Sequence, residues 1–266
     1  LDKPLPVKYG IFIRDVLHGN FGKSYIYGKP AMDLIFERMP ATLELVAVAA
    51  CLVLCIAIPL GVYAGAYPKR ASSKLIMSGS ILGISLPSFW VGMMMIYIFA
   101  VVLRLLPASG RGNTVMVGNV ALSIFAPGGI RYVILPAITL ALTNVATMLR
   151  LTRSGILENM RQDYIKFARA KGVPAKSILF GHALKNALIP VVTIFGMDLG
   201  NMIAFTTITE TIFAWPGMGK LLIDAINKSD RPIIVAYLMA AACMFVVLNF
   251  IVDILYTLID PRIELR

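Results

Sequence analysis

Five apolar runs, 41–67, 75–103, 132–149, 186–212 and 233–259, decide what this chain folds into. A bilayer's hydrocarbon core is about 30 Å thick and takes about 20 helical residues to cross, and each run is long enough for that. The runs hold few carboxylates, and all 25 Lys and Arg fall outside them. Composition agrees: 58% of residues are apolar and 15% are charged, against about 25% charged in an ordinary soluble domain. A soluble, fibrous or disordered chain is excluded. The sequence predicts an all-α polytopic membrane bundle, with Pro59, Pro87, Pro136 and Pro190 kinking helices or marking their ends without removing a span.

Topology follows from the loops. Placing the 150–185 segment inside also places the 68–74 turn and the 260–266 tail inside, giving 13 Lys and Arg in 50 residues against 12 in 88 on the other side. The positive-inside rule favours that orientation, with a cytoplasmic C-terminus. Five spans then leave residues 1–40 outside, and nothing in that stretch resembles a signal peptide. A further helix upstream of Leu1, making six spans, is the expected solution. The segmentation is thus an external stretch 1–40, a membrane domain 41–259 containing the basic segment 150–185, and a cytoplasmic tail 260–266. The +11 charge is read as loop topology, and no nucleic-acid partner is expected. Cys51, Cys55 and Cys243 lie inside apolar runs with no CxxC pair and no nearby His, and are expected to be small buried hydrophobes.

Thirty-six residues between the third and fourth runs are too many for an ordinary bundle loop. Leu157, Met160, Tyr164 and Phe167/Ala168 recur at helical spacing, with Glu158, Arg161, Gln162, Lys166 and Arg169 on the other faces, predicting an amphipathic helix over 157–172. Gly172 and then Pro174 supply its stop. A second short helix over 175–185 leads into the fourth run. Spacing alone fits an amphipathic helix in the headgroup layer equally well.

The wording is more specific. Asp163-Tyr-Ile-Lys-Phe-Ala-Arg-Ala-Lys-Gly172, then His182-Ala-Leu-Lys-Asn-Ala-Leu-Ile-Pro190, resembles the EAA loop of ABC-importer permeases. Lys166-Phe167 stand where the family has Glu-Ala, a departure usual in its peptide branch. Gly19-Asn-Phe-Gly-Lys-Ser24, Arg38-Met-Pro-Ala-Thr-Leu-Glu-Leu45, Thr209-Glu-Thr-Ile-Phe-Ala-Trp-Pro-Gly-Met-Gly219 and Asp260-Pro-Arg-Ile263 are similar to segments of the dipeptide, oligopeptide and nickel permeases, so the likeness covers essentially the whole chain. The resemblance implies a type I importer permease in a bacterial inner membrane. Its implied partners are a second homologous permease, two cytoplasmic ABC ATPases that bind ATP and Mg, and an external substrate-binding protein. It also implies that Met160, Asp163, Tyr164, Phe167, Ala168, Arg169, Ala170, Lys171 and Gly172 meet the ATPase. Small residues there admit a close partner backbone, and Arg169 and Lys171 offer rim ion pairs.

Polar residues inside the runs carry the remaining signal. Asp198 and Asn201 share a helix face, and Asn144 lies in the third run beside Thr143, so Asn144, Asp198 and Asn201 are candidates for a translocation path. Interhelical hydrogen bonding is the competing reading, and Asp253, which shares a helix face with Asn249, is read as a packing residue near the inner face. Glu44 and Glu210 lie near run ends. Met93-Met94-Met95 point in three directions and cannot chelate together, so no metal site is expected. Trp215-Pro-Gly217 reads as a tight external turn with an interfacial Trp, an outer gate or a docking point. No G-x-x-x-x-G-K-[ST] is present, Gly217-Met-Gly-Lys220 being the nearest, and no catalytic constellation exists. The chain is expected to be non-catalytic with no cofactor of its own. An ion-coupled secondary transporter is the alternative, marked by an inverted repeat and more spans, neither of which is visible. Scarce Cys and His argue against a bare metal ion as cargo and leave a chelated one open.

Overall fold

The computed structural model of the chain describes residues 4–118 and 120–259. Its helices are α1 (Leu5–Leu17), α2 (Ala31–Ala66), α3 (Ala71–Ser85), α4 (Ser88–Met95), α5 (Ile130–Asn159), α6 (Asp163–Ala170), α7 (Ala175–Ser177), α8 (Leu184–Ile212), α9 (Met218–Asn227) and α10 (Arg231–Ile259). A π-helical turn, Ile96–Val102, extends α4, and a second, Ile178–Ala183, joins α7 to α8 in one continuous helix from Ala175 to Ile212. Strands β1 (Val115–Val117) and β2 (Val120–Leu122) form an antiparallel hairpin in the 104–131 loop. Four helices are long and apolar enough to cross a membrane, and a bent pair makes a fifth.

Several boundaries differ from expectation. The first spanning helix, α2, starts at Ala31, because Asp33, Glu37 and Arg38 ended the apolar run at residue 41 without ending the helix. The second run is not one straight span: α3 and the helix from Ser88 to Val102 meet at 105°. Pro87 forces Leu86 out of helical geometry, to φ −89° and ψ 131°, and begins a new helix. Pro40, Pro59, Pro136 and Pro190 sit inside helices that continue through them. The expected helix over 157–172 is two pieces. Leu157 lies in the last turn of α5, Met160 caps that helix, and α6 starts after a turn at Arg161–Gln162. The loop 213–232 contains α9, which packs Met218, Leu221 and Ala225 against Leu34, Ile35, Ala236 and Tyr237.

Two glycine pairs set how closely the long helices cross. A Cβ on Gly61 would lie 2.6 Å from Thr152 Cβ, and one on Gly65 would lie 2.7 Å from Ile156 Cβ, so α2 and α5 touch backbone to side chain. Gly196 and Gly200 of α8 abut Val252 and Phe245 of α10 in the same way. This is the small-xxx-small packing that lets membrane helices gain dispersion contacts where no hydrophobic force drives them together. The core between α2, α5 and α8 holds Leu45, Ala49, Val53, Ala137, Met148, Val191 and Met202.

The three cysteines are exposed, contrary to the expected burial. An apolar residue in a lipid-spanning helix can face outward at no cost, because lipid is as apolar as the core. Met93 is likewise exposed. The side chain of Asp253 and the tail 260–266, with its Asp260-Pro-Arg-Ile263 motif, lie outside the described residues.

Candidate functional site

Polar side chains of α5 and α8 face each other across a cavity of about 350 Å³. From α5 come Thr139, Thr143 and Thr147, spaced by four so that they form one stripe, with Asn144 beside them. From α8 come Asp198, Asn201, Phe205 and Thr209, and Ser88 enters from the break before α4. Asn144, Asp198 and Asn201 therefore line a single space, although 54 residues separate the first two in sequence. Asp198 sits at the midpoint of α8. Among the described residues no cation makes an ion pair with it.

Some donors of the lining are engaged within their own helix. Thr139 Oγ1 donates to Leu135 O (2.9 Å), Thr147 Oγ1 donates to Thr143 O (3.2 Å), and Asn144 Nδ2 donates to Leu140 O (3.4 Å). The lining as a whole holds hydroxyls, amides and one carboxylate, and no cationic side chain.

At one end of the same two helices, α6 forms a short projecting element. Ile165 is its only fully buried side chain, set among Val62 of α2, Ile156 of α5, Ile178 and Ala183 of the π turn and Ala187 of α8, with Met160 and Ala168 against the same cluster. The inward face is thus Ile165/Ala168, one step round from the expected face. Tyr164 and Phe167 are exposed, and Phe167 is 62% accessible. The Tyr164 hydroxyl nonetheless ties the element down: it donates to Asn159 Oδ1 of α5 (2.8 Å) and accepts from Asn186 Nδ2 of α8 (3.0 Å). Gly172 closes α6 at φ +79°, the left-handed conformation its stop position requires, and Gly172 N donates to Arg169 O. On the outward surface Lys171 Nζ lies 4.5 Å from the Phe167 ring centroid, and Lys166 Nζ meets Asp163 at 2.8 Å. That hydrogen bond holds the exposed Asp163 carboxyl below its ordinary range. Arg169, Ala170 and Lys171 are all exposed. Gly172 has no atom within 4 Å of where a Cβ would stand.

Two polar knots near the other ends of α2 and α8 were not anticipated. Glu44, near a run end as expected, is buried and accepts from Arg111 Nε (2.9 Å), Ser123 N (2.7 Å), Ser123 Oγ (2.9 Å) and Ile124 N (2.7 Å), pinning the loop that carries the hairpin. Glu210 is fully buried and accepts from Thr42 Oγ1 (2.6 Å) and from Lys220 N (2.9 Å) in the first turn of α9. Thr42 Oγ1 accepts from Met218 N (2.9 Å). Together they cap α9 from two other helices. Gly217 and Gly219 are required beside it, because a Cβ at either would collide with the Glu210 carboxylate or Thr207. Trp215 is fully buried and donates from Nε1 to Ala41 O (2.8 Å). It is an internal anchor and not the interfacial residue expected, because its indole N–H finds a partner inside the protein.

Comparisons with known proteins agree with this architecture. Residues 57–265 match the family model described as binding-protein-dependent transport system inner membrane component. The oligopeptide transport system permease protein AppB of Bacillus subtilis is 40% identical over 99% of this chain and 82% of its own length. The dipeptide transport system permease protein DppB of Alkalihalophilus pseudofirmus is 37% identical over 99% and 83%. The probable D,D-dipeptide transport system permease protein DdpB of Escherichia coli is 37% identical over 99% and 81%. Among solved structures, a chain of the inward-facing MetNI methionine ABC transporter superposes with TM-score 0.64 at 16% identity, over 86% of this chain and 97% of that one. An amino acid ABC transporter solved with histidines gives TM-score 0.56 at 14% identity, over 87% and 94%. At those identities the structures share the fold.

Proposed function

The chain belongs to the family of binding-protein-dependent transport system inner membrane components, and from that premise we propose that it is the permease subunit of an ATP-driven importer of short peptides. Relatives named as dipeptide and oligopeptide permeases align along nearly all of it. In this reading a second permease of the same fold completes the path, an external binding protein delivers the peptide, and ATP with Mg is bound and hydrolysed on two partner ATPases. The chain itself catalyses nothing, and its C-terminus lies in the cytoplasm.

The observation that carries the mechanism is the position of α6. A lever between a soluble motor and a membrane path must project from the bundle, present a surface to its partner and be fixed to the helices it moves. The outward side of α6 presents Phe167, Arg169, Ala170 and Lys171 for a groove in the ATPase. Its inward side is held by Ile165, and Tyr164 joins it to α5 and α8. Those two helices line the cavity of Asn144, Asp198 and Asn201, which we assign to the translocation path.

The test is to express the chain with its cognate subunits, purify through it and reconstitute the complex. Recovery of a second permease and two ATPases, with ATP-dependent, binding-protein-dependent uptake of a di- or tripeptide, is expected. Uptake driven by an ion gradient in the absence of the ATPases would overturn the assignment.

A further inference from the structure

We propose that Asp198 is the counter-ion for the free N-terminal ammonium of the transported peptide. The inference rests on the peptide reading above and names the chemical feature of the solute that the cavity takes.

Three observations lead to it. Asp198 stands at the middle of α8, inside a long apolar helix, with no ion-pair partner among the described residues. An ionisable side chain at that depth is costly unless a counter-charge or water meets it, and retaining one there calls for a partner. Asp198 is the one ionisable side chain lining the cavity, and no Lys, Arg or His shares it. Thr139 and Thr147 have given their single hydroxyl proton to their own helix, and Asn144 has given an amide proton in the same way. An ammonium complements such a lining, because it brings the missing positive charge together with three donors for the carboxylate and for the hydroxyl and amide oxygens around it. A carboxylate end of the solute would meet like charge at Asp198.

Size separates an organic ammonium from a bare cation. A water's share of liquid volume is about 30 Å³, so a cavity of about 350 Å³ is roughly ten times larger than a close-coordinated alkali ion and one water would need. An extended dipeptide spans about 7 Å and fits such a space. Among the described residues no cluster of His, Cys, Asp and Glu offers a metal its ligands.

The experiment uses the complete importer in nanodiscs without its binding protein, so that only the permease path is read. A dipeptide with a photoreactive side chain is cross-linked to this chain and displaced by the same dipeptide, unlabelled, with either a free or an acetylated N-terminus. In the wild type the free-amine competitor should act at a concentration ~10-fold or more below the acetylated one, the scale of one charged hydrogen-bonded contact. Asp198→Asn should bring the two competitors within about twofold of each other, and Asp198→Glu should restore most of the difference. A purely structural Asp198 would weaken both competitors alike and leave their ratio unchanged, which overturns the inference. A wild-type ratio near one overturns it without any variant. If the wild-type importer with its binding protein takes up no peptide of any kind, the peptide reading itself fails, and this inference falls with it.

Discussion

Replacing Arg111 by Leu removes the only cation that meets Glu44 among the described residues, in a place where the carboxylate cannot find water. The Glu44 side chain is 2% exposed and the Arg111 side chain 11% exposed. Removing one partner of a buried pair costs about 3–5 kcal/mol, because the other charge stays buried and uncompensated. Here the donors Ser123 N, Ser123 Oγ and Ile124 N remain on the carboxylate, so the lower end, about 3 kcal/mol, is expected. Arg111 also donates to Ala121 O (2.6 Å) beside the hairpin and lies 5.7 Å from the Trp215 ring centroid, so the loop loses two further attachments. Glu44→Gln leaves Arg111 at the rim, where water can reach it, and should cost less. The assay is a double-mutant cycle on denaturant unfolding of the purified complex, with hydrogen exchange over 104–129 as the local readout. The double variant should be more stable than the sum of the singles predicts, by about 2 kcal/mol. Additivity within about 0.5 kcal/mol, or a larger effect from Glu44→Gln than from Arg111→Leu, would refute the reasoning.

Gly61→Ala should cost about 1–3 kcal/mol by forcing α2 from α5, since its Cβ would lie 2.8 Å from Leu149 O as well as against Thr152, and unfolding in detergent measures it. Gly172→Leu should leave membrane insertion intact, because nothing lies within 4 Å of the new Cβ and only the positive φ, about 1–2 kcal/mol, is paid. ATP hydrolysis should then continue while uptake falls, and unchanged uptake would count against the role given to α6. Tyr164→Phe keeps the ring and deletes the bridge from Asn159 to Asn186; a stability loss of about 1 kcal/mol and fewer peptides moved per ATP are expected, and an unaltered ratio would argue that the bridge is only structural. Thr42→Val leaves Glu210 and Met218 N each short of a buried partner and should lower the unfolding midpoint by the equivalent of about 1–3 kcal/mol, whereas Thr42→Ser should be near neutral.

What the sequence showed, and where it stopped, follows from the range of the forces involved. Apolar length and helical period are local, so the five membrane segments and the shared face of Asp198 and Asn201 were legible, as was the Gly172–Pro174 stop. Proline was not legible on its own. Pro40 and Pro59 lie within α2, yet Pro87 turns the chain by 105°, and only the neighbours decide which helix can re-satisfy the freed carbonyl. The inward face of α6 was misread by one position because Phe167 is the larger hydrophobe, whereas the pocket among Val62, Ile156 and Ala187 accepts Ile165. Trp215 was given to the interface because its partner, the Ala41 carbonyl, lies 174 residues away. The spacing of Gly61 with Gly65 and of Gly196 with Gly200 is readable from residue order. The helices they meet, α5 and α10, are not.

The lever geometry gives the separate pieces one logic. From Asn159, where Tyr164 grips α5, to Thr147 on the cavity wall is twelve residues, and from Asn186, where it grips α8, to Asp198 is also twelve, or about 18 Å of helix in each case. In the proposed lever a displacement of α6 would therefore reach both walls of the cavity through arms of equal length. The arms differ in stiffness. No proline interrupts α5 between Thr147 and Asn159, while Pro190 lies in α8 between Asn186 and Asp198 and removes one backbone hydrogen bond there. In the proposed lever α5 would then be the stiffer arm and α8 the softer one, so a push on α6 is expected to change the separation of the walls instead of translating both together. That difference is what the proposed translocation path would use to hold a solute in one state and release it in another.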